Sequence, residues 1–168
     1  VCSSAAVMIW HHPPAPILVP IDPETGMAVP NAAIGSVSLN ERSAVVQSLV
    51  YQYVIDRESY NQIDNDVRIN RALSRTLGAA RTGLVELWDS GSDRYLPTRY
   101  GDRTQVDVVV TGINLLGDDR GQVRMRKRLT NPDGTNTGNF TAVIGFDFAT
   151  EQEKTLEAVW QNPLGFTV

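Results

Sequence analysis

The residue types that most often catalyse reactions or bind metals are few in this chain. The only two histidines, His11 and His12, are adjacent, and adjacent side chains of an extended segment point to opposite faces. One metal ion is therefore not easily held by both rings. The single cysteine, Cys2, has no partner for an internal disulfide. These residues predict neither a metal site nor a disulfide framework.

Two loops carry oxygen-bearing side chains close together. Residues 131–136, Asn-Pro-Asp-Gly-Thr-Asn, faintly resemble a calcium loop, but the glycine does not stand where an EF-hand requires it. Residues 89–93, Asp-Ser-Gly-Ser-Asp, follow a predicted helix end. A hairpin turn and a helix-ending loop explain both segments. Because the chain also lacks a Walker loop, a GxGxxG, a nucleophile elbow and an HExxH, we predict no catalytic residue, cofactor or metal.

The most concentrated charge in the chain is a basic run: Arg124, Arg126, Lys127 and Arg128. One interpretation makes the arginines an interaction face for an acidic partner. The favoured interpretation is a solvated sheet face, on which Asp107 or Asp147 of neighbouring strands pairs with arginines. The formal net charge of −4 argues against a general nucleic-acid-binding protein, whose affinity would come from clustered cations.

The composition indicates one globular domain. A chain of 168 residues that is 42% hydrophobic and 20% charged can bury a substantial core. The first ten residues are apolar, but they are far short of the roughly 20 that cross a bilayer as a helix. We expect residues 1–15 to be a tail, a first strand or the remnant after a removed transmembrane helix, and residues 16–168 to form the single domain.

Residues 38–60 are predicted to form the main helix. Positions three and four apart make one apolar stripe with a closing arginine: Val46, Leu49, Val50, Tyr53, Val54 and Arg57. Ser38 and Glu41 match a capping box at its start. Before it, six of the nine prolines lie in residues 11–30, which predicts extended chain with an edge strand at residues 17–21 and a turn at residues 22–26.

Two shorter helices are predicted next. Asp64, Asn65 or Asp66 caps a second helix that contains Ile69, Leu73 and Leu77 and stops at Gly78. A third helix covers residues 79–89 and carries Leu84, Val85, Leu87 and Trp88.

The rest of the chain is predicted to be an antiparallel meander. Strands are expected at residues 104–116, 121–130 and 139–150, joined by hairpin loops at 117–121 and 131–134. The middle strand alternates Val123, Met125, Lys127 and Leu129 with the three arginines. Residues 156–160 and the segment after them are expected to add a fourth strand. Helices followed by strands indicate an α+β domain, with the helices on one face of the sheet.

Two motifs resemble a known family. Residues 53–60, Tyr-Val-Ile-Asp-Arg-Glu-Ser-Tyr, are similar to the Y-V-x-x-R-E-x-Y signature of the VirB-eight family, inner-membrane assembly components of bacterial type IV secretion systems. Residues 162–166 match that family's NPLGF motif completely. Pro20-Ile21-Asp22 and Thr25-Gly26 resemble the extended segment before the first helix, so the resemblance covers residues 16–168. No motif of the family is recognised in residues 68–103.

The resemblance implies a nuclear-transport-factor-two-like fold, in which helices wrap a curved antiparallel sheet of about four strands. It implies a periplasmic domain behind one N-terminal transmembrane helix. The implied protein is a scaffold without enzymatic activity or cofactor that contacts itself, as a homodimer, and other channel subunits, with no direct nucleic-acid contact. The TrbF-type conjugation proteins remain a subfamily alternative.

The resemblance also names candidate residues with a structural or interface role: Tyr53, Val54, Arg57, Glu58, Tyr60, Asn162, Pro163, Leu164, Gly165 and Phe166. Gly165 and Pro163 are suited to shaping the turn, while Leu164 and Phe166 are expected to fill the core beside the helix, which makes the motif mainly structural. Two other functions remain open. A deep cavity with a charged pair would favour an enzyme or small-molecule binder, and an exposed sheet edge would favour a peptide-binding module.

Overall fold

The computed structural model of the protein describes residues 41–149 and 155–168. The expectations for residues 1–40, including the proline-rich extended segment and the capping serine Ser38, lie outside the described residues. The elements, in chain order, are α1 (Glu41–Glu58), α2 (Asn65–Ser74), α3 (Gly78–Trp88), α4 (Leu96–Tyr100), β1 (Gln105–Leu115), β2 (Arg120–Asn131), β3 (Gly134–Gly145), β4 (Asp147–Phe148), α5 (Leu156–Gln161) and β5 (Phe166–Thr167).

Helix α1 confirms the predicted main helix and its apolar stripe. Val46, Val50, Tyr53 and Val54 are all buried, as their spacing along one helical face requires. The helix ends at Glu58 rather than at Tyr60. Tyr60 instead leaves the helix and pairs with β1, which anchors the end of α1 to the sheet.

Helix α2 ends earlier than predicted. The N–H groups of Arg75 and Thr76 bond to carbonyls three residues back, at 3.1 and 3.2 Å, a tight pattern that closes a helix. Gly78 therefore does not stop α2. It begins α3 with a φ of +56°, a backbone angle that glycine adopts without steric cost. Leu77, predicted on the apolar face of α2, is exposed.

The third helix is confirmed, whereas the short helix α4 was not predicted. Pro97 lies in its first turn, where a proline is tolerated because that N–H has no helical partner.

The predicted antiparallel meander is confirmed. Strands β1, β2 and β3 form one sheet in that order, and the β2–β3 hairpin turns tightly between Asn131 and Gly134. Strand β3 therefore begins at Gly134, earlier than expected. In the β1–β2 and β2–β3 pairings of this sheet, the only register irregularity lies in β1, between Val110 and Gly112. Helices followed by an antiparallel sheet confirm the α+β class.

The core lies between α1 and the inner face of the sheet. As the alternation predicts, Val123 and Met125 are buried on this face, whereas Arg124, Arg126 and Arg128 are exposed on the other. The buried cluster combines residues of the helices, the sheet and the chain end: Val46, Val50, Tyr53, Val54, Ala72, Leu84, Val123, Met125, Ile144, Phe146 and Phe166. Full burial of each aliphatic or aromatic side chain contributes about 1.5–3 kcal/mol.

The prediction of a strand at residues 156–160 is wrong, because this segment is helix α5. Thr155 caps the helix by accepting a hydrogen bond from the Ala158 N–H through its side chain. Leu156, Val159 and Trp160 have the spacing of one helical face. In so short an apolar run, this spacing does not distinguish a helix from a strand unless the helix cap is recognised. The short strand β5 follows and pairs with β4 instead of joining the meander.

Candidate functional site

The end of α1 begins with two core residues, Tyr53 and Val54. Both are buried. The Tyr53 hydroxyl lies 3.1 Å from the Thr76 hydroxyl, and the Thr76 hydroxyl donates to the Ala72 carbonyl at 2.6 Å. The phenol therefore has a hydrogen-bonding partner inside the protein, as a buried polar group requires. The Tyr53 hydroxyl therefore connects α1 to Thr76, just after the end of α2.

A charge cluster follows, centred on Glu58. Its carboxylate binds both the Arg57 guanidinium and the Lys127 ammonium, and the Lys127 nitrogen lies 5.0 Å from the centre of the Phe140 ring. Burial acts to raise the pKa of the Glu58 carboxyl, but Lys127 and Arg57 together outweigh it and hold the pKa below its ordinary value of 4.5. The cluster therefore links α1 to β2 by a charged pair that is largely shielded from water.

Sequence reasoning placed Lys127 on the inner sheet face but did not assign its partner. The alternation of β2 contained the signal, because a lysine among core residues needs a carboxylate nearby. Glu58, at the end of the helix covering that face, was the available acid.

Tyr60 fixes the end of α1 to three other elements. Its N–H and C=O exchange hydrogen bonds with Val106 at 3.0 and 2.8 Å. Its hydroxyl donates to the Gly101 carbonyl at 3.3 Å. Its ring centre lies 6.0 Å from that of Trp88 and 4.9 Å from that of Tyr100. Burial, reinforced by Asp102, raises the pKa of this phenol, so it remains a neutral donor.

The Asn162–Phe166 motif forms a tight turn after α5. The Asn162 side chain donates to the Phe166 carbonyl and accepts from the Phe166 N–H, both at 2.9 Å. Gly165 has a φ of +61°, which only glycine adopts readily, and its carbonyl accepts from the Ala149 N–H at 3.0 Å. Phe166 is fully buried, with its ring centre 5.7 Å from those of Phe146 and Phe148.

The expectation that Leu164 fills the core is wrong. Leu164 is 38% exposed, and Pro163 beside it is exposed as well. The bonds from Asn162 to Phe166 turn the intervening side chains outward. The structure thus brings Tyr53, Val54 and Phe166 into one buried cluster, but it leaves Leu164 on the surface.

A second charge cluster beneath α1 was not predicted. Asp56 and Arg68 are buried. Arg71 donates to the Asp56 carboxylate at 3.1 Å, and Arg68 donates to the Asp56 and Ser59 carbonyls at 3.1 and 2.8 Å. Burial raises the pKa of Asp56 against the opposing attraction of Arg71, Arg75 and Arg68. The helical spacing of these three arginines on one side of α2 was the available signal.

The three arginines of the basic run, Arg124, Arg126 and Arg128, lie on the outer sheet face. Arg128 binds Asp107 on β1 at 3.0 Å, which confirms one predicted cross-strand partner. The other predicted partner, Asp147, has no ion pair among the described residues and instead accepts a hydrogen bond from the Phe148 N–H at 2.7 Å. Within the described part of the chain, no carboxylate lies within 4.0 Å of the cations of Arg124 or Arg126.

The charge cluster at the end of α1 borders a cleft. A cleft of about 250 Å³ between α1 and β3 is lined by Arg57 and Glu58. However, the lowered pKa of Glu58 makes it a weak base near neutral pH. In the two oxygen-rich loops, Asn131 and Asp89 side chains accept from nearby backbone N–H groups at 3.0 and 2.9 Å. Residues 41–149 and 155–168 contain no cluster of three metal-binding side chains.

Among the same residues, no helix combines the length and the apolar character needed to cross a membrane.

The chain resembles known proteins over its whole length. The family model described as VirB8 protein matches residues 1–168. The type IV secretion system protein virB8 of Brucella abortus is 26% identical over 158 residues, which cover 91% of this chain and 64% of the relative. The chain thus spans less than two thirds of the length of the curated relatives it matches.

Two solved structures share the fold. The VirB8 protein of Agrobacterium tumefaciens has a TM-score of 0.72 at 18% identity, covering 77% of this chain and 90% of that one. A TrwG component of the type IV secretion system of Bartonella birtlesii has a TM-score of 0.68 at 20% identity, covering 74% and 86%. These likenesses confirm the expected nuclear-transport-factor-two-like α+β fold. Since the family model matches every residue, this chain belongs to the VirB8 family of type IV secretion system proteins.

Proposed function

We propose that this chain is the periplasmic domain of a non-enzymatic assembly protein in a conjugation-type secretion channel. In this role it associates with a second copy of itself and contacts other channel subunits, and a membrane helix of the full-length protein anchors it. Membership of the VirB8 family supports the assignment to the channel. The weakly basic, doubly bound carboxylate of Glu58 supports a scaffold rather than an enzyme.

The observation that carries self-association is an apolar surface on α5. Leu156 is 65% exposed and Trp160 73% exposed, and with Val159 they share one side of the helix. Leu164 adds a further exposed apolar side chain just after α5. Soluble monomers rarely expose such a contiguous patch, and tryptophan often dominates the energy of an interface. We assign this α5 apolar face to the contact between two copies.

This assignment divides the motif residues by role. Tyr53, Val54, Tyr60, Gly165 and Phe166 stabilise the domain, since each is buried. Asn162 shapes the turn that presents Leu164 and Pro163 to a partner. Arg57 and Glu58 position the end of α1 through Lys127.

Sedimentation equilibrium of the whole chain across a wide concentration range tests this function. We expect a monomer–dimer equilibrium in the unchanged protein and a dimer weakened at least about tenfold by Trp160→Glu, because a charge would be buried in an apolar contact. Ile63→Glu is the matched control, since Ile63 is 92% exposed and lies between α1 and α2 rather than on α5. A strictly monomeric unchanged protein, or equal effects of the two variants, would contradict the assignment.

A further inference from the structure

Strand β3 is a sheet edge whose own sequence contains none of the usual protective residues. It lies at one side of the three-stranded sheet, and its 12 residues include neither a charged residue nor a proline. Its pairing with β2 shows no register irregularity. Natural edge strands usually carry charges, prolines or bulges that prevent pairing with another chain. Strand β3 therefore has the length and regularity needed to receive an additional strand.

Alternate residues of β3 direct their backbone groups to this open edge. The N–H of Phe146, just beyond the strand, donates to the Asp119 carbonyl on the β2 side at 2.8 Å. The direction of the backbone N–H and C=O groups alternates from residue to residue along an antiparallel strand. Thr137, Asn139 and Thr141 therefore point these groups away from β2. In the described part of the chain, no backbone hydrogen bond from another segment reaches them.

The outer face beside the edge is cationic, and no carboxylate of the described residues pairs with Arg124 or Arg126. Arg124 and Arg126 stand opposite Thr141 and Asn139 of β3, whose side chains are short and uncharged. A strand added to β3 would lie about 10 Å from β2. An arginine and a glutamate side chain together span this separation. Since Arg128 is already bound to Asp107, the uncompensated charge lies at Arg124 and Arg126.

The inner face beside the same edge presents one large apolar side chain, that of Phe140. Phe140 lies on the same side as Met125, its partner in the β2–β3 register, and it is 49% exposed. Side chains of an added strand alternate between the two faces. The complementary strand therefore carries acidic residues on one side and apolar residues on the other.

We propose that β3 binds an extended acidic segment of another protein by strand addition. Main-chain hydrogen bonds form along Thr137, Asn139 and Thr141, acidic side chains lie near Arg124 and Arg126, and apolar side chains cover Phe140. A second copy of β3 is a poor occupant because it carries no acidic residue. The inference rests on the proposed function for its biological setting, since the segment would belong to another channel subunit. The binding surface on β3 is separate from the α5 apolar face.

Peptide binding to the full 168-residue chain tests the inference. The probes are acetylated peptides of about eight residues, one alternating Glu with Val and one alternating Lys with Val. We expect the Glu peptide to bind at least about tenfold more tightly, with the largest NMR amide shifts at Thr137, Asn139 and Thr141. The combined change Arg124→Glu and Arg126→Glu should remove that preference. Arg99→Glu, a single substitution of the same kind at an exposed site on α4, should preserve it.

A backbone variant gives an independent readout. Asn139→Pro removes one edge N–H, and proline is tolerated on edge strands. Binding of the Glu peptide should fall at least about fivefold, while circular dichroism shows that the variant is folded. If its fold is lost, Asn139→Asp, which brings a like charge to the edge, serves instead.

Equal binding of the two peptides, no binding at about millimolar concentration, or amide shifts confined to other elements would overturn the inference. Shifts of the β3 amides that depend on protein concentration alone would identify a second copy as the occupant and also overturn it. Repeating the titration with Trp160→Glu separates the two proposals, because loss of self-association there leaves the β3 edge unchanged.

Discussion

The two faces of the central sheet carry similar types of side chain, but those on the inner face are covered and those on the outer face are exposed. On the inner face, Lys127 binds Glu58 of α1, and Met125 is buried beneath that helix. On the outer face, Arg126 has no carboxylate within ion-pair distance among the described residues, and Val143 is exposed. The cover provided by α1, rather than residue type, decides which side chains stabilise the fold.

The same contrast occurs within the Asn162–Phe166 motif. Phe166 is fully buried among aromatic rings, whereas Leu164, two positions earlier, is 38% exposed. One motif therefore has one residue in the core and one on the surface.

The largest expected difference is between alanine variants of these two residues. Phe166→Ala should lower the free energy of unfolding by about 3–5 kcal/mol, because it leaves a cavity in the core. Leu164→Ala should change it by less than about 1 kcal/mol, while weakening self-association. Chemical denaturation monitored by circular dichroism measures both. Similar losses of stability would show that Leu164 packs in the core after all.

The charge cluster provides a pH test of the inner face. Since the folded-state pKa of Glu58 lies below its ordinary value of 4.5, the folded state favours the charged carboxylate. Its contribution is fully present above pH 4.5 and is lost as the pH falls through the folded-state pKa. Glu58→Gln should therefore cost about 1–3 kcal/mol at neutral pH. The difference from the unchanged protein should shrink in acid.

Glu86→Gln is the control, because Glu86 makes a similar but exposed pair with Arg94 at 2.8 Å. Exposed pairs contribute about 0–1 kcal/mol. Denaturation curves measured from neutral pH to below pH 4.5 give the comparison. A cost for Glu58→Gln that stays constant over this range would indicate a packing effect rather than an ionic one.

The smallest expected difference concerns two arginines of α1. Arg57→Glu places a second carboxylate beside Glu58 and should destabilise the domain by about 1 kcal/mol, a modest value because Arg57 is partly exposed. Arg42→Glu, on the exposed start of the helix, should stay within about 0.5 kcal/mol. Thermal unfolding and sedimentation would be measured for both. Equal, negligible effects would mean that the Arg57–Glu58 contact is only a surface feature.

Elements with strong periodicity were predictable from the sequence. The stripe on α1 and the alternation along β2 each place core residues on one face, because helices and strands repeat at fixed intervals. Short elements were not predictable in this way. Helix α4 and helix α5 each depend on a single turn, and residues 156–160 carry an apolar pattern compatible with either structure until the Thr155 cap is known. The end of α2 likewise depends on local hydrogen bonds rather than on Gly78.

The sequence by itself determined the α+β class, the meander, the family and the residues of its two motifs. Local periodicity and motif spacing carry that information without reference to distant residues. Only the tertiary structure decided which motif residues are buried, that Lys127 is the partner of Glu58, and that Leu164 and Trp160 face outward. Burial and ion pairing depend on which segments, distant in the sequence, lie next to each other in the fold. Glu58 and Lys127, for example, are separated by 69 positions in the chain.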